Sequence, residues 1–202
     1  MALTRRMFTL GIFALPGCTA ISSLNEAAQP RDTFALQPIN IAAEGRRSAR
    51  SLLVLEPTAS AAIDTDRILI RRDPLSVTYL PDARWADGAP QMLQSILVQS
   101  LAATGRIGFV GVQGAGPIPD TVLLTRIDDF GVDRQADGLF VVRIACELTL
   151  LRDRDQRVID TRRFAQSGNV SDDAASTIAQ GFQTQLDALL SDAVPWVLMR
   201  AI

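Results

Sequence analysis

Between residues 139 and 151 the chain alternates without a break. Phe140, Val142, Ile144, Cys146, Leu148 and Leu150 take one parity, and Val141, Arg143, Ala145, Glu147 and Thr149 take the other. Successive side chains of an extended strand point to opposite faces. The stretch is therefore a strand with one apolar face for a core and one mixed face for solvent or a partner. Cys146 falls on the apolar parity and reads as a buried small hydrophobe, not a reactive thiol.

The rest of the chain supplies partners for that strand. Phe34-Ala35-Leu36 is a short first strand, and residues 51–56 form a buried-type strand stopped by Pro57. Residues 68–72 and 75–80 read as two strands separated by Asp73-Pro74, and residues 107–112 as another. Residues 122–130 precede the alternating strand, with Asp137-Gly138 in a hairpin connection. Asp153-Arg154-Asp155-Gln156 then turns the chain into a strand over residues 157–166.

Two helices are signed. The first is capped by Asp87, has Pro90 in its first turn, buries Met92, Leu93, Ile96, Leu97 and Leu101, and ends at Gly105. The second starts at Ser171, with Asp172 and Asp173 in its first turn and Ile178, Phe182, Leu186, Leu189 and Leu190 on its stripe. Pro195 is expected to kink or end it. Strands, helix, strands, helix predicts an α+β fold, an antiparallel-rich mixed sheet with two main helices packed on one face.

The N-terminus carries an address. Arg5 and Arg6 precede the apolar run 7–15, and Leu15-Pro16-Gly17-Cys18 closes it. A basic segment, a short apolar segment and small residues make a secretory signal, too short to span a bilayer. With cysteine directly after the glycine, it looks like a bacterial lipoprotein signal cleaved between Gly17 and Cys18, the Cys18 thiol becoming lipidated. Two acyl chains hold a protein stably to a membrane. Thr4-Arg5-Arg6-Met7-Phe8 also resembles the twin-arginine export motif, so either that route or the general secretory one is open. The expected organisation is a signal peptide over 1–17, lipidated Cys18 and a flexible tether over 18–32, and a single domain over 33–202. Residues 19–32 could reach about 45 Å fully extended, with a coil span of roughly 20 Å.

Composition excludes much chemistry. The 202 residues contain no histidine, and all 20 basic residues are arginine, against 22 acids. Without the signal the balance is 18 basic to 22 acidic residues, which argues against a nucleic-acid binder. Ser-His-Asp and Cys-His catalysis, histidine metal sites, the P-loop lysine and Schiff bases are all excluded. Gly111, Gly114 and Gly116 have no Gly-Lys-Ser/Thr after them and read as a turn. Asp64, Asp66, Asp128 and Asp129 match no calcium loop. No metal or cofactor is expected, and the chain is not expected to be an enzyme. After the signal no apolar run reaches transmembrane length.

The lipobox at Cys18 is followed by Phe34-Ala35-Leu36, Leu53-Val54-Leu55-Glu56-Pro57, Asp66-Arg67-Ile68-Leu69-Ile70-Arg71 and Leu80-Pro81-Asp82-Ala83-Arg84-Trp85-Ala86-Asp87. Together with the helix that begins near Pro90, this order resembles the ABC-type transport auxiliary lipoprotein family, which includes the PqiC-like proteins. The arginine–tryptophan pair ahead of the helix is the most specific piece. The departures are Phe34, where tyrosine is common, and Pro16 in the lipobox.

The resemblance implies a non-enzymatic, periplasm-facing lipoprotein of an MCE/ABC-type system that moves lipids or other hydrophobic molecules. It would be anchored in the outer membrane, given Thr19 after the cysteine, and would dock on an MCE-domain partner beside ABC transporter subunits. A ring-forming homo-oligomer is implied by the family alone. The alternative is a lipoprotein that itself binds a small apolar ligand or lipid in a pocket.

Five residues are candidates for partner binding. Arg84 and Trp85 either contact a partner or stack over a sheet edge. Arg71 and Arg72 either meet acidic surfaces or headgroups or are solvated strand positions. Trp196, with Leu198 and Met199, either forms an exposed apolar patch or packs back on the sheet.

Overall fold

One strand, residues Thr121–Arg134, organises the sheet. The computed structural model describes residues 31–73 and 75–201. Its strands are β1 (Asp32–Phe34), β2 (Ser51–Val54), β3 (Thr58–Ala59), β4 (Arg67–Asp73), β5 (Ser76–Trp85), β6 (Phe109–Gly111), β7 (Thr121–Arg134), β8 (Phe140–Arg152) and β9 (Arg157–Val170). Its helices are α1 (Ala89–Ala103) and α2 (Ala175–Ala201), and a single 3₁₀ turn, Asp153–Asp155, joins β8 to β9.

Along one edge β7 pairs antiparallel with β8 from Thr121↔Arg152 to Arg134↔Phe140, and β8 pairs antiparallel with β9. Along its other edge β7 is met in succession by three parallel strands. β2 pairs at Leu52↔Thr121, β3 at Thr58↔Arg126 and β4 at Leu69↔Gly131. β6 then extends the sheet beyond β2, while β5 and β1 extend it beyond β4. The result is the expected α+β mixed sheet. Its long ladders are antiparallel, and the short parallel pairs join strands reached through crossover connections.

A β-bulge lies in the middle of β7. Ile127 faces Cys146 and Asp129 faces Ala145, which leaves Asp128 as the extra residue. Ahead of it Leu123, Thr125 and Ile127 are buried, and behind it Phe130 and Val132 are. The inserted residue thus changes the parity of the strand and keeps one face apolar along its whole length.

That face receives both helices. In α1 Met92, Leu93, Ile96, Leu97 and Leu101 are buried, as the stripe predicts. Its N-cap is Gly88 without a side-chain bond, so the expected cap, Asp87, falls one residue outside. Thr104 donates its hydroxyl to the Leu101 carbonyl at 2.6 Å, and Gly105 takes φ +63° to leave the helix.

α2 starts four residues later than expected. Asp172 is held in the preceding turn, accepting from Ala174 N and the Ser171 hydroxyl. The helix also does not end at Pro195 but continues past it. An interior proline costs about 3 kcal/mol, but Trp196, Val197, Leu198 and Ala201 are all buried beyond it. At about 1.5–3 kcal/mol for each large side chain, continuing the helix wins.

The core is centred on an aromatic triad. Trp85 from β5, Phe130 from β7 and Phe182 from α2 have centroids 4.8 to 5.8 Å apart, with Trp85 nearly perpendicular to Phe182. Gly181 lets α2 approach the sheet, since a Cβ there would lie 2.4 Å from Val170 Cγ1 and 3.1 Å from Val142 Cγ2.

Candidate functional site

The parity that buries Ile144, Cys146 and Leu148 turns Arg143, Glu147 and Thr149 to the other face of the sheet. There β4, β7, β8 and β9 lay charged side chains across one another. Arg71 donates from Nη2 to Asp129 at 2.8 Å and from Nε to Asp133 at 2.6 Å. Arg143 donates to the second oxygen of Asp133. One strand turn away, Arg126 pairs with Asp128 and Glu147, each at 2.8 Å, and Arg163 reaches Asp128 at 3.3 Å. The parallel register Arg71↔Asp133 and the antiparallel register Arg143↔Gly131 bring the first group together. Gly131 leaves room for it, since a Cβ there would lie 3.1 Å from Leu69 and 3.2 Å from Arg71.

Burial decides how these groups titrate. It pushes the Asp129 carboxyl above its ordinary value; Arg71 pulls it back without cancelling the effect, and neighbouring Asp133 adds to the rise. The Arg71 guanidinium, bonded to both carboxylates, ends above its ordinary value although burial opposes that. Asp128 sits more openly, and the Arg126 hydrogen bond holds it below the usual range.

The parallel pairing of β4 with β7 also brings two hairpin tips to one end of the sheet. The β4–β5 tip presents Leu75, 96% exposed, and Val77, while the β7–β8 tip presents Leu139. A cleft of about 410 Å³ lined by Arg71, Asp73, Asp133, Arg134 and Gln135 separates the tips. Gly138, at φ +87°, shapes the second tip, and Gln135 N bonds to the Leu139 carbonyl at 2.8 Å to close it.

The residues singled out in the sequence do not converge on one site. Arg71 belongs to the charged face. Arg72 is exposed beside it and makes no ion pair among the described residues. Arg84 lies on β5 next to β1, 3.8 Å from Asp66 and within 3.4 Å of the Thr33 hydroxyl.

Trp85 and Trp196 are each 1% exposed. Trp85 is inside the aromatic triad, and no stacking of Arg84 on it is found. Trp196 packs edge-on against Phe164 at 5.6 Å and under Arg200 at 5.4 Å. Both tryptophans are therefore core residues that present no surface: Trp85 is packed by Phe130 of β7 and Phe182 of α2, and Trp196, itself on α2, by Phe164 of β9. Of the apolar tail only Met199 is exposed. Cys18 lies outside the described residues.

Asp133 and Arg126 were not singled out, and Asp129 was weighed only against a calcium loop. The outward parity of β8 at Arg143 and Glu147 is the signal that leads to them. Among the described residues no group of three potential metal ligands occurs. Burial pushes the Cys146 thiol up to about 12, so it stays protonated. The face therefore offers donors, acceptors and charge of both signs.

The model of the ABC-type transport auxiliary lipoprotein component family matches residues 34–194. The chain belongs to that family, whose members are lipoproteins of ABC-type transport. Comparison with curated proteins finds no match. Among solved structures it is similar to protein XCC0632 from Xanthomonas campestris, with 26% identity over 83% of this chain and 94% of that one and a TM-score of 0.76. An uncharacterized protein, 16% identical over 84% of this chain and 99% of that one, shares the fold at a TM-score of 0.65. So does the hypothetical protein CT253 from Chlamydia trachomatis, 8% identical over 78% of this chain and 98% of that one, at 0.52. No helix among the described residues is long and apolar enough to cross a membrane.

Proposed function

We propose that the chain is a non-enzymatic lipoprotein, anchored through Cys18 at the periplasmic face of the outer membrane, that docks on the MCE-domain partner of an ABC-type lipid or hydrophobic-molecule transporter. The observation that carries the docking reading is the end of the sheet where Leu75, Val77 and Leu139 stand bare between Arg72 and Arg134. An apolar centre with an arginine rim is the composition of a protein–protein contact. The charged face of Arg71, Asp133 and Arg143 behind it would set the register of a partner. A ring of copies would repeat this end around a common axis, which suits a tubular partner.

The test is crosslinking and co-purification of the tagged chain from its native envelope beside a Cys18→Ala control. Recovery of an MCE-domain protein or an ABC subunit with the lipidated form is expected. Repeated recovery of neither sinks the reading.

A further inference from the structure

At the opposite end of the sheet two cavities share a wall. The first, about 170 Å³, is apolar and lies between β2, β6 and the glycine loop, with Leu53, Phe109, Val112, Ala115 and Pro117 among its lining. It is a built pocket, because the Phe109 ring packs directly against two glycines. A Cβ at Gly111 would approach that ring to 2.7 Å and one at Gly116 to 2.3 Å, and Gly116 holds φ +133°. The Ser51 hydroxyl lies 3.0 Å from both the Ile118 carbonyl and the Asp120 carboxylate, shares its one hydrogen between them, and ties the loop down. The volume is below the usual range of about 300–1,000 Å³ for a small-molecule site, so it suits the end of a hydrocarbon chain and not a whole lipid.

The second cavity, about 570 Å³, opens on the far side of Pro119, which lines both. Its charged lining is Arg50, Arg152, Arg154 and Arg200 with Asp120 and Asp153. Asp120 is engaged by Ser51, and Asp153 accepts from Gln156 at 3.3 Å. Arg200 is paired with Asp160, and Arg152 with Asp155 at 3.3 Å. Arg50 makes no ion pair among the described residues, and Arg154 has only Asp155, at 4.0 Å. Ile118, fixed between Pro117 and Pro119, is 88% exposed at the rim, and Ile159, also exposed, lines the same cavity.

The geometry points to a binding site for an anionic amphiphile, a hydrocarbon chain carrying a phosphate or carboxylate. The chain end enters the pocket against Phe109, and the anion meets the guanidinium groups of Arg50 and Arg154. Two adjoining sites, one dry and one cationic, favour a molecule with both parts over either part alone. The inference deepens the alternative in which the chain itself carries an apolar ligand, and it does not depend on the transporter partner.

The test is titration calorimetry on the full chain carrying Cys18→Ser, with decyl phosphate below its micelle concentration. Decyl maltoside and inorganic phosphate serve as the half-ligands. Decyl phosphate is expected to bind at least tenfold more tightly than either. The Arg50→Gln/Arg154→Gln variant and the Val112→Trp variant, which fills the apolar pocket, are each expected to lose tenfold or more with an unchanged circular dichroism spectrum. Equal affinity for decyl maltoside, or undiminished affinity in both variants, overturns the proposal. Sedimentation with phosphatidylglycerol vesicles identifies the source: capture lost in both variants assigns a lipid still in its bilayer, and calorimetric binding without capture assigns a free amphiphile. Because no partner protein is present, failure here leaves the docking reading standing, and failed co-purification leaves this one.

Discussion

Asp120, just ahead of β7, shows how one carboxylate can pin a strand pairing. Ser51 donates its backbone N–H to Asp120 at 2.8 Å and its hydroxyl at 3.0 Å, while Asp120 N returns a bond to the Ser51 carbonyl at 3.0 Å. The Ser51 backbone bond, more than any other cause, holds the Asp120 carboxyl below its ordinary value, and Arg50 adds a smaller pull. A depressed folded value means that the stabilisation is complete above the unfolded pKa of about 3.9 and is lost as pH falls through the folded one. Asp120→Asn is therefore expected to cost about 1 kcal/mol at neutral pH, the usual ~1.5–3 kcal/mol of a charged hydrogen bond being reduced by solvent exposure. Urea unfolding at pH 7 and pH 2.5 checks this: the gap between variant and parent closes at the lower pH, and an equal gap at both would remove the ionic account. Asp129 has the opposite sign. Burial raises its folded value, so its ionised form costs stability at neutral pH and that cost fades as the solution is acidified. The two oppose each other in the parent's acid profile, so the difference between parent and variant is the informative quantity.

At the scale of elements, whatever rests on local period was legible and whatever rests on distant contacts was not. The alternating strand, read over residues 139–151, is found at Phe140–Arg152, and the stripe of α1 buries the residues it predicts. The strand at 122–130 proves four residues longer toward its C-terminus, because the bulge at Asp128 breaks the alternation where a reader stops following it. Deleting Asp128 should expose that dependence. It would turn Phe130 and Val132 out of the core, a loss of at least two large side chains at about 1.5–3 kcal/mol each, and the chain is expected to recover no cooperative thermal transition. A transition within a few degrees of the parent would mean that the strand can slip. Gly181 is a subtler case, since alanine would gain about 1 kcal/mol in helix propensity. The 2.4 Å approach to Val170, a short branched side chain on a strand, imposes about 1–3 kcal/mol of overpacking. Gly181→Ala is thus expected to lose about 1 kcal/mol, and a rise in its urea midpoint would show that α2 can move off the sheet.

Across the whole molecule the two unusual surfaces occupy opposite ends of β7. The strand's 14 residues, at about 3.3 Å each, keep them roughly 45 Å apart. Neither end could be assembled from the sequence, because parallel returns to β7 create both. β4 leads to Leu75 at the end that holds Leu139, and β2 starts just after Arg50 at the end that holds Arg152. The two tryptophans, for which the sequence left partner contact and packing both open, are drawn inside by helix and strand partners far away in the chain. Arg71 was found on an outward face, yet its meeting with Asp129 and Asp133 depended on the same parallel register.

Separation of this size predicts independence. Sites this far apart, with no shared side chains, add in their effects unless a two-state element links them. Leu75→Asp with Leu139→Asp places two charges in the apolar centre of the hairpin end. That variant is expected to lose co-purification of an MCE-domain partner at least tenfold while binding decyl phosphate as the parent does. Arg50→Gln/Arg154→Gln is expected to do the reverse, keeping partner capture and losing the amphiphile. If the hairpin variant also lost decyl phosphate with its circular dichroism spectrum intact, the ends would be coupled through β7, and the long central strand would be a transmitting element as well as a scaffold.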